Sequence, residues 1–180
     1  LELLNRYPQF KISYSFSGVF LEQIEKYCPE VLKSFQALVE TGRVEVLEET
    51  YYHSLAFLYS RGEFTEQVKK HREIIQRLFG VTPTVFRNTE LIYNNELAKY
   101  VESLGYKGII AEGADKVLGW RSPNYIYSPV GTSKIKLLMK NYKLSDDIAF
   151  RFSEKSWKEW PLTTEKFSHW VNGVNGSGET

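Results

Sequence analysis

Cysteine is nearly absent from this chain, and so are long apolar runs and an excess of either charge. Cys28 is the single cysteine among 180 residues, which excludes a disulfide within the chain and favours a reducing, cytoplasmic setting. No stretch approaches the roughly 20 apolar residues that span a bilayer. The 23 basic and 22 acidic residues leave a net charge of +1, so the sequence predicts neither a nucleic-acid nor a membrane partner.

Histidine is also scarce, which bears on metal chemistry. His53, His71 and His169 are the three histidines, and they are far apart in the sequence. A metal-dependent polysaccharide deacetylase needs an aspartate and two clustered histidines as ligands, so that function is disfavoured. We predict no metal and no cofactor, and we expect His71, which basic residues flank, to be solvated. Neither glycine-rich phosphate-binding pattern occurs.

Aromatic residues are abundant instead. Four Trp, 12 Tyr and 11 Phe make up 15% of the chain. Aromatic rings stack on the apolar C–H faces of sugars, which is consistent with a carbohydrate site. Large aromatics that fill an ordinary α/β core and its rim explain the composition equally well.

Strand and helix patterns alternate along the chain. Strands are predicted at residues 10–16, 44–47, 84–86, 106–111, 134–139 and 148–152. Helices are predicted at residues 19–41, 64–79 and 94–104 and from residue 163, with a loop at 117–127 and a glycine-rich linker at 173–178. This alternation favours an α/β fold with parallel strands and crossover helices, and polar clusters after four of the strands favour a barrel over a doubly wound sheet.

The most informative stretch is residues 83–94. A short β-branched and aromatic run turns polar at Arg87 and then presents Glu90 just before a helical pattern begins at Asn94. A carboxylate at the carboxyl end of a barrel strand lies where that architecture keeps its chemistry. Arg87 and His53 can hold such a carboxylate ionised and oriented. Alternatively, Glu90 only complements the dipole of the helix that follows it.

A family resemblance rests on this stretch. Phe-Arg-Asn-Thr-Glu-Leu-Ile-Tyr-Asn, residues 86–94, resembles the nucleophile motif of glycoside hydrolase family 57 in its α-amylase branch. The resemblance implies an incomplete (β/α)7-type pseudo-TIM barrel and a retaining enzyme that acts on α-glucans such as maltooligosaccharides. It also implies that Glu90 attacks the anomeric carbon and forms a glycosyl-enzyme intermediate. A 4-α-glucanotransferase on the same scaffold and a non-catalytic glucan-binding homologue stay open as alternatives.

Further stretches carry the same resemblance and imply substrate-binding residues. Residues 42–55 resemble the second family motif, in which Glu45 and His53 line the subsite next to the cleaved bond. Glu45 also lies inside a predicted strand, where an inward-facing carboxylate must be paired, so it ranks above the neighbouring Glu48 and Glu49. Residues 111–125 imply Trp120 as a sugar platform. Residues 145–153 imply that Asp147 binds substrate, while Arg87 contributes from the nucleophile motif.

The residues alone permit other interpretations at these positions. His53 can equally be a rim histidine that bonds a backbone carbonyl, and the ring of Trp120 can pack beneath its own loop.

Two family landmarks are missing from the sequence. Neither a His-Gln-Pro segment nor the Asp-x-Glu-x-Phe-Gly type segment that carries the general acid is present. The resemblance therefore implies that residues 1–180 are the central part of one catalytic barrel domain, truncated at both ends, with the acid beyond Thr180. We expect such a segment, expressed alone, to be marginally folded and inactive.

Overall fold

Parallel strands alternate with helices in the computed structural model, which describes residues 1–174. The strands are β1 (Ile12–Tyr14), β2 (Val44–Val46), β3 (Val85–Arg87), β4 (Gly108–Glu112), β5 (Ile126–Tyr127) and β6 (Lys136–Lys140). The α-helices are α1 (Glu2–Arg6), α2 (Gly18–Tyr27), α3 (Pro29–Glu40), α4 (Arg61–Phe79), α5 (Asn95–Ser103), α6 (Asp115–Leu118), α7 (Tyr142–Asp146) and α8 (Thr164–Val174). The predicted α/β class with crossover helices is confirmed.

The strands form two parallel segments that meet at one bridge. β1 pairs with β2, and the second segment has the order β3-β4-β6-β5, in which only β5 is antiparallel among the described strands. A parallel bridge between Glu48 and Phe86 joins the segments. The carboxyl ends of β1 to β4 and of β6 therefore lie along the same edge, where functional residues of such sheets gather.

Helix α4 is the central support of this sheet. Its N-terminus is capped by the Ser60 hydroxyl, which accepts a hydrogen bond from the Glu63 N–H, and it ends at Gly80 in a left-handed conformation (φ 69°). One face is buried, with Phe64 and Ile75 both at 0% exposure. This face spans both apolar clusters of the fold, so α4 fixes the two sheet segments relative to one another.

Three of the predicted elements are wrong in type or extent. The predicted helix at 19–41 is two helices, because Pro29 disfavours helical backbone at Cys28, whose φ and ψ are −142° and 58°. The predicted strand at 148–152 is a π-helical turn, Asp147–Arg151. The predicted loop at 117–127 contains the end of α6 and all of β5.

The remaining predicted elements are confirmed within a few residues. The glycine-rich linker predicted at 173–178 lies almost wholly outside the described residues, and its first two positions end α8. Within residues 1–174, none of the helices combines the length and apolar content that crossing a bilayer requires.

Candidate active site

Two polar turns lie side by side where β2 and β3 end. The N–H of Glu48 donates to the carbonyl of Val85 over 2.9 Å, and the N–H of Arg87 donates to the carbonyl of Glu48 over 2.8 Å. Next to these two backbone hydrogen bonds, the buried hydroxyls of Thr50 and Thr89 are 3.1 Å apart and share a hydrogen bond. The turn after β2 is therefore fixed to the turn after β3.

Both turns contain residues with left-handed backbone. His53, Glu90 and Leu91 have φ values of 53°, 52° and 56°. Such conformations cost about 1–3 kcal/mol each in residues other than glycine, and they cluster at functional sites. A hydrogen bond from the His53 N–H to the Thr50 carbonyl (3.0 Å) holds the first turn. The sequence therefore tolerates strain where the side chains of His53 and Glu90 are presented.

The side chains of Glu49, His53 and Glu90 form a continuous chain of contacts. Nδ1 of His53 is 3.2 Å from Oε1 of Glu49, and Nε2 is 3.3 Å from Oε1 of Glu90. The exposed fractions of the three side chains are 3%, 43% and 72% respectively. Each ring nitrogen that carries a hydrogen can donate to one of these carboxylates. The imidazole thus connects a buried carboxylate to an exposed one.

An open cleft of about 550 Å³ lies against this chain of contacts. Its walls combine charged, hydroxyl and aromatic side chains: Ser15, Phe16, Ser17, Phe20, Glu49, His53 and Arg87. Aromatic surface next to convergent polar groups is a typical arrangement for binding a polar organic ligand. The cleft can therefore receive a ligand beside His53, whose ring contacts Glu90 just outside the cleft wall.

A second glutamate–histidine pair, Glu48 and His71, is fully buried behind Phe16 of the cleft wall, and Glu48 also pairs with the partly exposed Arg72. Nδ1 of His71 contacts Oε1 of Glu48, and Nε2 of His71 is 2.6 Å from the carbonyl of Phe16. The Tyr106 hydroxyl donates to Oε2 of Glu48 over 2.8 Å. Burial, and then the neighbouring Glu48, raise the pKa of Tyr106. The prediction that His71 is solvated is wrong, since its side chain is 0% exposed.

Of two further predicted residues, the structure places Arg87 in the cleft and Glu45 outside it, in a separate depression beside Ser13. Arg87 lines the cleft, but no hydrogen bond or ion pair joins Arg87 to Glu90 within residues 1–174. Glu45 is exposed, and the Ser13 hydroxyl donates to its Oε2 over 2.9 Å. The ranking of Glu45 above its neighbours is not matched by burial, because Glu48 and Glu49 are the enclosed carboxylates.

Trp120 and Asp147 follow other strands and do not line the cleft. Trp120 lies after α6 with 90% of its surface exposed, and the guanidinium of Arg121 is 5.7 Å from its ring centroid. Its ring therefore does not pack beneath its loop. Asp147 is buried and pairs with Arg151, whose Nη1 is 2.6 Å from its Oδ1.

Sequence reasoning missed Glu49, Thr50 and Thr89 as parts of the site. The available signal was the polar run that follows β2 directly, where two glutamates and a threonine replace the apolar alternation. Within the part of the chain that the structure describes, no group of three or more His, Cys, Asp or Glu side chains is arranged to hold a metal ion.

Comparisons with known proteins agree with this architecture. A family profile described as "Glycosyl hydrolase family 57" matches residues 1–180. The chain is 49% identical over 178 residues to the "Putative alpha-amylase" of Methanocaldococcus jannaschii, an alignment that covers 98% of this chain and 37% of that protein.

Two solved structures share the fold. The 4-alpha-glucanotransferase of Thermococcus litoralis superposes with a TM-score of 0.71 at 23% identity, over 83% of this chain and 24% of that one. A "putative polysaccharide deacetylase" from Mycobacterium smegmatis gives a TM-score of 0.66 at 16% identity, over 96% of this chain and 56% of that one. At these identities the likeness concerns the fold alone.

The predicted fold class and family are both confirmed. The family enzymes among the structural neighbours have a (β/α)7 barrel, and this chain matches part of it. The chain spans about a third of the length of the M. jannaschii relative. A profile match across all 180 residues shows that the chain belongs to glycosyl hydrolase family 57.

Proposed function

We propose that residues 1–180 form the central part of the catalytic barrel of a retaining glycoside hydrolase that acts on α-glucans, with Glu90 as nucleophile. One observation carries the proposal: Glu90 presents a 72% exposed carboxylate from a left-handed turn at the carboxyl end of β3, against His53. The family and the name of the M. jannaschii relative support the substrate class.

A retaining glycosidase uses two carboxylates on opposite sides of the scissile bond, about 5–5.5 Å apart. One attacks the anomeric carbon, and the other protonates the leaving oxygen and later activates the incoming water. Glu49 does not suit the second role, because its side chain is 3% exposed and its oxygens contact Ser15 and His53. We assign the acid to a residue beyond Thr180, as the family resemblance implies.

The proposed substrate-binding residues are Glu45, His53, Arg87, Trp120 and Asp147. His53 and Arg87 line the cleft and can donate to sugar hydroxyls. The exposed ring of Trp120 is free to stack on a sugar. Asp147 has one oxygen bonded to Arg151, which leaves its other oxygen as an acceptor.

Hydrolysis and transfer share the nucleophile and differ in what resolves the intermediate. Water gives hydrolysis, whereas a glucan hydroxyl gives transfer to a new chain. The M. jannaschii relative is named for the first activity and the T. litoralis relative for the second. Product analysis on maltooligosaccharides separates them, since a transferase yields chains longer than the substrate.

The test removes the nucleophile from the full-length gene product. We expect Glu90→Ala to lower the rate on an aryl α-maltooligosaccharide by about 10⁴-fold or more. Azide should then restore turnover and yield a glycosyl azide of inverted (β) configuration, because azide replaces the missing carboxylate in a single displacement. Since Glu90 is exposed, the variant should keep the melting temperature of the wild type.

The matched control is Glu30→Ala, an exposed glutamate in the first turn of α3, which should keep full activity. A Glu90→Ala variant that retains its activity would show that the catalytic assignment is wrong. A wild-type protein that binds glucan without cleaving or transferring it would identify a non-catalytic glucan-binding homologue.

We also propose a cytoplasmic location and no nucleic-acid partner. The exposed thiol of Cys28, which has no partner for a disulfide within this chain, supports a reducing compartment. The near-balanced charge supports the absence of nucleic acid. Cell fractionation with an antibody against the protein tests the location directly.

A further inference from the structure

Glu49 is an unusual carboxylate for the rim of an open cleft. Its side chain is 3% exposed, although the adjacent His53 and Glu90 are far more accessible. Burying a carboxylate is costly unless it is paired and hydrogen-bonded. Its partners are the Ser15 hydroxyl, which donates to Oε2, and Nδ1 of His53 at 3.2 Å from Oε1. Both oxygens are therefore engaged, and neither is free to bind substrate.

The backbone on either side of Glu49 is also fixed. Glu48 is hydrogen-bonded to Val85 and Arg87 through its N–H and carbonyl, and Thr50 bonds the hydroxyl of Thr89. Glu49 thus has little freedom to move, whereas the ring of His53 is 43% exposed and has fewer packing constraints. The orientation of the imidazole therefore depends on its bond to Glu49.

We propose that Glu49 is a positioning residue that acts through His53: with both ring nitrogens protonated, His53 donates its Nδ1–H to Glu49, and this bond directs its Nε2–H at Oε1 of Glu90. This inference rests on the proposed role of Glu90 as nucleophile. Glu49 touches neither substrate nor the reacting atoms in this arrangement. We call this chain of contacts the relay: the buried carboxylate of Glu49 orients the ring of His53, and the ring orients the exposed carboxylate of Glu90.

The exposed carboxylate needs such a constraint. Glu90 is 72% exposed, and its hydrogen bond to His53 is the one side-chain hydrogen bond it makes within residues 1–174. A flexible carboxylate spends much of its time away from the line of attack, and a small misplacement of reacting atoms lowers the rate strongly. Fixing one oxygen through His53 leaves the other oxygen free to attack.

A double-mutant cycle in the full-length gene product tests the relay. We expect Glu49→Gln to lower kcat on an aryl α-maltooligosaccharide by about 10- to 100-fold, with KM within about twofold of the wild type. In a His53→Ala background, the same Glu49→Gln change should lower kcat by less than about twofold, because its route to Glu90 is already lost. Glu30→Gln is the matched control and should be neutral in both backgrounds.

The inference is overturned if Glu49→Gln lowers kcat by the same factor with and without His53, since this indicates a structural role. If Glu49→Gln does not fold, Ser15→Ala decides instead. Ser15→Ala removes the hydroxyl that holds Oε2 of Glu49, and it should lower kcat only when His53 is present.

The two proposals fail in distinguishable ways. An active Glu90→Ala variant overturns both of them. An essential Glu90 with additive effects of Glu49 and His53 overturns the relay alone.

Discussion

Consecutive glutamates form two glutamate–histidine pairs with opposite characters. Glu48 and His71 are both 0% exposed, and their other polar partners are the Tyr106 hydroxyl, the guanidinium of Arg72 and the carbonyl of Phe16. Glu49 pairs with His53, which opens onto a cleft and contacts the exposed Glu90. The same two residue types thus build a closed cluster and an open one within a few residues.

The two pairs differ in whether any of their donor and acceptor atoms remain available to a ligand. In the closed pair, side-chain and backbone groups of the protein occupy both imidazole nitrogens and both carboxylate oxygens, so no ligand can join. In the open pair, Glu90 has bonding capacity that faces solvent. Residue identity therefore predicts neither role, whereas the completeness of the hydrogen bonding separates a structural pair from a functional one.

Breaking the closed pair is expected to have the largest effect on stability. Glu48→Ala removes the buried acceptor of His71 Nδ1 and of the Tyr106 hydroxyl, and it also breaks the ion pair with Arg72. Removing one partner of a buried pair costs about 3–5 kcal/mol. Urea unfolding of the full-length gene product measures the loss. The matched control is Glu45→Ala, which removes an exposed glutamate from β2, the strand that precedes Glu48, and should change stability by less than about 1 kcal/mol. Equal losses in the two variants would contradict the distinction between closed and open carboxylates.

Breaking the hydrogen bond between the turns that follow β2 and β3 should have an intermediate effect on the free energy of unfolding. Thr50→Val removes the hydroxyl that accepts from the Ser54 N–H (2.9 Å) and contacts Thr89 (3.1 Å). Leaving these buried groups unpaired costs about 1–3 kcal/mol.

Activity should also fall in Thr50→Val, because the Thr50–Thr89 bond holds His53 beside Glu90. Assays of kcat together with thermal unfolding check both effects, with the exposed Thr164→Val as control. A loss of stability at unchanged kcat would show that the turns keep their alignment without this bond.

Glu102 is a carboxylate that, within residues 1–174, bonds backbone N–H groups and no histidine, so it extends the comparison. Its substitution should have the smallest effect on stability. Glu102 accepts hydrogen bonds from the backbone N–H groups of Ser133, Lys134 and Ile135. These bonds, that from Ile135 foremost, lower the pKa of Glu102. A lowered pKa in the folded state means that the stabilisation is present above the ordinary glutamate pKa and is lost as the pH falls through the folded-state value.

Glu102→Gln should therefore lower the melting temperature slightly at neutral pH and converge with the wild type in acid. Thermal unfolding from neutral pH to pH about 3 tests this. A difference that is constant across this range would attribute the effect to packing rather than to charge.

The fold could be predicted from the sequence wherever the periodicity was clear. Helix α4 was predicted to within three residues at its start, because apolar residues recur at helical spacing up to Gly80. The break between α2 and α3 was missed, although Pro29 is a plain signal for it. The turn at Asp147–Arg151 was missed because its apolar residues mimic a strand, and the tendency of α7 to continue into it is not visible in so short a pattern.

The site was only partly predictable. Glu90 and His53 could be named, and the structure places them in contact. The burial of Glu48 and Glu49 could not be read from the strand alternation, because β2 ends at Val46 and the chain then leaves the pleated pattern. His71 lies at helical spacing from Phe64, Val68 and Ile75, a signal that its basic neighbours obscured.

The isolated β-bridge between Glu48 and Phe86 connects the two segments of the sheet. Two backbone hydrogen bonds close it, and His53 and Glu90 lie on opposite sides of it. The spacing of these two side chains therefore depends on this bridge and on the neighbouring Thr50–Thr89 hydrogen bond. Warming that loosens this bridge would misalign His53 and Glu90 while the two apolar clusters stay packed. We therefore expect catalytic activity to fall at a temperature below the melting temperature.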